Sequence, residues 1–190
     1  MKEDGLPVVK SLLIDHNKLA TEEFFDRIKK ECGFPCVVKP NRGSGSSGVS
    51  KVHSRKEIKE AVDFAFKHDS QVVIEPCVSD GVEVTCTVHD ITTDELLEAF
   101  PVTEITPEGE FFHTSDHSAK TAIMTPSKNL RGEVILQVTK VAKVAYRVLN
   151  LCGLATFDMI VQVEDATDNS RYVEKSRFHN FRMISRSFWR

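Results

Sequence analysis

The chain has 190 residues, 41% of them apolar and 28% charged, with a formal net charge of -3. That length holds one large domain or two small ones, and the composition is that of a globular protein. A charge of -3 argues against nucleic-acid binding by bulk electrostatics, no apolar run approaches the roughly 18 residues of a membrane helix, and the start MKEDGLPVVK lacks an apolar signal-peptide core.

Elements follow from periodicity and punctuation. Residues 8–14 (VVKSLLI) read as a strand, and residues 21–32 (TEEFFDRIKKEC) as a short helix. Thr21 is its cap, Glu22 and Glu23 suit its positive end, and Gly33 stands where a helix stops. A β-branched run at 35–39 leads into a Gly/Ser loop, and 49–53 resumes as a strand. Residues 54–67 open with the S-x-x-E spacing of a capping box, Ser54 to Glu57, and place Ile58, Ala61, Val62, Ala65 and Phe66 on one face. Strands are predicted at 71–75, 82–89 and 95–103, an irregular polar stretch at 105–130, and a long helix at 131–149 ended by Gly153. Its stripe is Val134, Val138, Val141, Ala145 and Val148. Residues 154–163 and 171–175 read as a β-hairpin joined by a polar linker. Helices alternating with strands, then strands in meander-like order, predict an α+β fold. Five cysteines without a CxxC pair read as reduced thiols of a cytosolic, cytoplasmic protein, with Cys32 and Cys36 as packing residues.

Three features carry chemistry. The first is VVKPNRGSGSSGVSKV, residues 37–52, where glycines let backbone N–H groups approach oxygens and Lys39 stands at the mouth as a point charge. This suits phosphate, although a bare Gly/Ser run also serves as an ordinary surface loop, and the stretch is neither a Walker A nor a Rossmann fingerprint. The second is the pair Asp158 and Glu174 in apolar strand contexts. A hairpin centred near residue 166 sets them opposite one another, about 5 Å apart, where two carboxylates repel unless a cation such as Mg2+ lies between them. Two solvent-facing acids are the alternative. The third is VVIEPCVSDGVEV, in which Glu75 and Glu83 flank a connector between apolar strands, a setting for adenine and ribose or simply for two surface glutamates.

In combination these segments resemble the ATP-grasp superfamily and, within it, the D-alanine–D-alanine ligase family. GFPCVVKPNRGSGSSGVSKV is similar to that family's lysine strand and glycine lid, and AFKHDSQVVIEPCVSDGVEVTCTV to its adenine hinge. FPVTEI, GEFF and MTPSKNL follow in the family's order, and YRVLNLCGLATFDMIV with RYVEKS resembles its metal hairpin. The likeness covers roughly residues 6–176.

The resemblance implies two α/β subdomains sandwiching a nucleotide, at 1–76 and 77–176, followed by a divergent basic tail at 177–190. It implies ATP and Mg2+ as cofactors and a small-molecule amino-acid substrate. Lys39 would contact phosphates beneath a lid containing Ser44, Gly45 and Ser46, and Lys120 would be a second phosphate lysine. Glu75 would accept from the adenine amino group, with Val78 beside the ring, and Glu83 would hold the ribose. Asp158, Glu174 and Ser176 would hold the metal. The reaction implied is carboxylate–amine ligation through an acyl phosphate. Several positions depart from the family. The likeness starts at the family's central domain, so its N-terminal substrate domain and a further phosphate lysine are expected to be missing; an arginine two residues before the metal aspartate is Thr156, and an asparagine is Ser176. The tail KSRFHNFRMISRSFWR has five basic residues and no acid, and reads as an altered continuation of the ligase sequence, with a solvated or partly disordered tail, or a segment that binds nucleic acid or an acidic partner, as the alternatives. The alternatives are a non-catalytic nucleotide-binding protein, or an ATP-grasp ligase for another acid. A homodimer or a complementing chain is the expected partner, with no membrane.

Overall fold

The computed structural model describes residues 6, 8–15, 22–43, 46–78, 81–90, 97–107, 122–127, 130–162 and 182–184. They form an α+β fold of two compact units, one made of Val9–Cys77 with Pro107, the other of Leu6, Val8, Val78–Thr106 and the described residues from Ala122 onward.

The first unit holds β1 (Leu12–Asp15), α1 (Glu22–Glu31), β2 (Cys36–Pro40), β3 (Ser50–Val52), α2 (Arg55–Ala65) and β4 (Gln71–Pro76). Its strands lie in the order β1-β4-β2-β3, and every neighbouring pair is antiparallel. Side chains alternate across a strand. One face therefore carries Leu12, Ile14, Cys36, Val38, Val52, Val72 and Ile74, which pack with Ile28 of α1 and with Ile58, Ala61, Val62 and Ala65 of α2. The other face carries Leu13, Val37, Lys39, Lys51, Val73 and Glu75.

Helix α1 stops as predicted. Gly33 takes φ +70° and donates its N–H to the Ile28 carbonyl at 3.0 Å. Thr21 lies outside the described residues. The reciprocal capping box of α2 does not form, because Glu57 reaches past the N-cap Ser54 to the residue before it. Glu57 accepts from the His53 N–H at 2.9 Å and the Ser54 hydroxyl at 2.6 Å, while Ser54 makes no side-chain cap.

The second unit holds β5 (Val82–Asp90), β6 (Leu97–Ala99), β7 (Thr103–Pro107), β8 (Ala122–Pro126), α3 (Gly132–Val148), β9 (Leu154–Val161) and β10 (Arg182–Ile184). The order is β10-β9-β5-β7-β8, with β6 also on β5. Val84, Cys86 and Val88 of β5 and Ala155, Phe157, Met159 and Val161 of β9 pack under α3 through Val134, Val138, Ala142, Ala145 and Tyr146.

Four expectations are corrected in this unit. The strand predicted at 95–103 is two, because Phe100-Pro101-Val102 interrupts it and Pro101 has no N–H to give a ladder. The stretch predicted as irregular contains β8, whose five residues are too short for a clear alternation. Helix α3 ends before Gly153, at Leu149 and Asn150. Asn150 itself adopts the left-handed conformation at φ +50°, and the stripe runs through Ala142 and Tyr146 rather than Val141 and Val148. The fourth correction concerns the strand beside β9. It is β10, within the expected tail, and it sets Arg182 rather than residue 174 opposite Asp158. The other edge of β9 is taken by β5. The predicted strand at 171–175 lies outside the described residues.

Candidate functional site

On the open face of the first sheet, Lys39 and Glu75 meet. Lys39 stands opposite Val73 and Glu75 opposite Val37, so the two are diagonal neighbours across β2 and β4. The Lys39 ammonium donates to Glu75 Oε2 in an ion pair whose side chains are 13% and 11% exposed. Such a pair is charge-assisted and largely withdrawn from water. Val37, Val73 and Leu13 give the same face an apolar floor, and Lys51, opposite Val37, adds a second ammonium two strands from Glu75.

The glycine loop leaves this sheet from β2 and is pinned at both ends. Asn41 donates its N–H to the Gln71 carbonyl at 2.8 Å, and Arg42 donates its N–H to Asp69 Oδ2 at 2.7 Å. At the far end Ser46 takes φ +58° and its carbonyl accepts from the Val49 N–H at 3.2 Å. Gly48, at φ +75°, lies so close to Pro40 and His68 that a Cβ would come within 2.7 Å of both. Ser44 and Gly45 lie outside the described residues.

The open face of the second sheet is polar. β5 presents Glu83, Thr85, Thr87 and His89, and β9 answers with Ile160, Asp158, Thr156 and Leu154 in that order. Glu83 and Asp158 are therefore diagonal neighbours, and Asp158 stands opposite Thr85. Thr87 and Thr156 pair through their hydroxyls at 2.9 Å. Val78 is half-buried at the start of this unit.

Lys39, Ser46 and Glu75 thus belong to the first unit and Val78, Glu83 and Asp158 to the second. Lys120, Glu174 and Ser176 lie outside the described residues. Among the described residues no group of three or more His, Cys, Asp or Glu is placed to hold a metal ion. On its β5 side the register neighbours of Asp158 are the oxygen-bearing Thr85 and, diagonally, Glu83, the chemistry a hard cation such as Mg2+ takes, while β10 sets Arg182 opposite it. Sequence reasoning missed Lys51, Thr85 and Thr87. The signal was the period-2 alternation of VSKVH and VEVTCTVH, which sets each beside a residue already singled out.

The buried thiols belong to the cores. Burial pushes Cys36 up to about 12 and Cys32 and Cys86 up to about 11, so all three hold their protons. No helix among the described residues is long and apolar enough to cross a membrane.

Residues 1–170 match the family profile described as the D-ala D-ala ligase C-terminus. The D-alanine–D-alanine ligase of Flavobacterium johnsoniae is 33% identical over 147 residues, which are 77% of this chain and 43% of the relative. That of Mannheimia succiniciproducens is 34% identical over 178 residues, covering 90% and 52%. Among solved structures, the D-alanine–D-alanine ligase of Bacillus anthracis superposes with a TM-score of 0.67 at 28% identity, covering 85% of this chain and 49% of its own. The VanG D-Ala:D-Ser ligase of Enterococcus faecalis shares the fold at a TM-score of 0.78 and 24% identity, covering 96% and 48%. The chain spans about half the length of the relatives it matches.

Proposed function

The chain belongs to the family of D-alanine–D-alanine ligase C-termini, and from that premise we propose that it is the nucleotide-binding part of an ATP-dependent carboxylate–amine ligase. The observation that carries the reading is the Lys39–Glu75 pair, a cation and an acceptor side by side on an apolar sheet face next to a glycine loop anchored at both ends. An ammonium there suits phosphate oxygens. A carboxylate suits the amino group of adenine, and Val37 and Val73 suit its ring.

The remaining roles extend the same reading. Ser44, Gly45 and Ser46 cover the phosphates, Lys120 adds a second ammonium, Val78 lies beside the base, and Glu83 accepts from the ribose hydroxyls. Asp158, Glu174 and Ser176 would hold Mg2+, which would neutralise phosphate charge. In the complete reaction ATP phosphorylates the carboxylate of one D-alanine, and the amine of a second displaces phosphate. The loop and the apolar floor exclude water from the mixed anhydride. The setting is the cytoplasm, in keeping with the free cysteines Cys32, Cys36, Cys77, Cys86 and Cys152.

A second reading, a nucleotide-binding protein without ligase activity, is favoured by one observation. Thr156 is tied to Thr87 by a neutral hydrogen bond, where the resemblance implies an arginine that would stabilise a developing oxyanion.

Isothermal titration with Mg-ATP tests the site. Wild type is expected to bind, with Lys39→Ala and Glu75→Gln each at least about tenfold weaker, the loss of one charge-assisted contact. Equal heats for all three proteins would overturn it. Phosphate release that depends on D-alanine separates the ligase from the binding protein.

A further inference from the structure

The second unit contains a polar atom that its fold does not explain. Thr85 lies in the middle of β5, 6% exposed, and its Oγ1 is buried without a hydrogen-bond partner. Valine has the same shape and higher strand propensity and would leave nothing unpaired, so packing alone gives this hydroxyl no purpose. Its place in the sheet suggests one. By register, Thr85 stands between Thr103 of β7 and Asp158 of β9. Val84 and Cys86 on one side of it, and Phe157 and Met159 on either side of Asp158, all point into the core. Thr85 and Asp158 therefore share the opposite face. The next row supplies a comparison. Thr87 and Thr156, also opposite one another on that face, satisfy each other at 2.9 Å. Thr85 has an acid opposite it on β9, and on β7 Thr103, whose hydroxyl donates to the Pro101 carbonyl at 3.3 Å.

We propose that Thr85 is a positioning residue for Asp158. With a hard divalent cation bound, its Oγ1–H, unpartnered in this structure, donates to one lone pair of the carboxylate and turns the remaining ones toward the ion. The proposal rests on the reading of Asp158 as a metal-holding carboxylate. A donor behind a ligating carboxylate fixes its rotamer, and losing such a donor commonly weakens metal binding by about 10- to 100-fold.

The test uses the full chain and Mn2+ as the probe, with free Mn2+ followed by electron paramagnetic resonance and the fold followed by thermal melting. Thr85→Val is expected to bind Mn2+ at least about tenfold more weakly than wild type, and to melt at the same temperature or higher without the metal, because the unpaired hydroxyl is gone. Thr85→Ser is expected to restore binding to within about threefold, since it keeps the donor. Unchanged Mn2+ affinity in Thr85→Val would overturn the proposal. So would a Thr85→Val protein that melts lower, because the hydroxyl would then serve the fold. Asp158→Asn separates the two levels. If wild type and Asp158→Asn bind Mn2+ alike, the metal reading of Asp158 fails and takes the proposal with it. If only Asp158→Asn is impaired, the metal reading stands and the role of Thr85 falls.

Discussion

Replacing Glu75 with leucine removes the carboxylate that meets the Lys39 ammonium on an apolar sheet face. The two side chains are only 13% and 11% exposed, so neither charge regains its full hydration by turning outward. Removing one partner of a buried pair typically costs about 3–5 kcal/mol, most of it the penalty of the charge left behind. Lys39 has a flexible stem on an open face and recovers part of that by reaching toward water, which places Glu75→Leu near the lower end, about 3 kcal/mol. Lys39→Met leaves the carboxylate, which has a shorter side chain, and is expected to cost about as much. The double variant Lys39→Met/Glu75→Leu removes both charges and adds apolar surface beside Val37 and Val73. It is expected to lie within about 1 kcal/mol of wild type, so with singles of about 3 kcal/mol each the coupling energy is large, about 5–7 kcal/mol. Urea unfolding followed by circular dichroism gives the free energies. Amide exchange of β2 and β4 assigns the loss to the first sheet, which matters because the two units need not unfold together. Additive single and double variants would refute the reasoning, since they would show that the two charges do not depend on one another.

Gly48→Ala is expected to cost about 2–3 kcal/mol: roughly 1–2 for the left-handed backbone and the rest for a Cβ forced within 2.7 Å of Pro40 and His68, read as a fall in melting temperature. For the thiols, Ellman's reagent at pH 8 is expected to label exposed Cys152 rapidly and to leave Cys36 and Cys86 unreacted until the protein unfolds. The folded pKa values of Cys36, Cys32 and Cys86 are raised above the unfolded value, so the stability they contribute is fully present below about pH 9. It is lost as pH rises toward the folded values of about 11 to 12, which urea midpoints will show as a plateau to about pH 9 and a decline from there to pH 11.

Much of the fold was legible because its strongest signals are local. Helix α2 announces itself through Ser54, Glu57 and a 3.6-residue stripe, and β4 and β5 through apolar runs bounded by turn residues. Lys39 and Glu75 were both singled out, each within its own strand. Their pairing was not legible, because they lie 36 residues apart and meet only once β2 and β4 align. The hairpin partner of Asp158 failed for the same reason. A centre near residue 166 was the simplest closure, yet β9 takes β5 on one edge and β10 on the other, neither of them at 171–175.

The polar row of the second sheet follows from that non-local alignment. Phe157 and Met159 are 0% and 1% exposed, and they reach the core only if β9 lies against β5 in the observed register. A slip of one residue would swing both to the open face and drive Asp158 into the core, at the cost of two buried side chains and one buried carboxylate. The apolar neighbours of Asp158 therefore set its chemistry. By holding β9 in place, they put the carboxylate opposite Thr85 and diagonal to Glu83, on the open face of the sheet. Substituting Phe157 or Met159 by a polar residue consequently disturbs the acid without touching it.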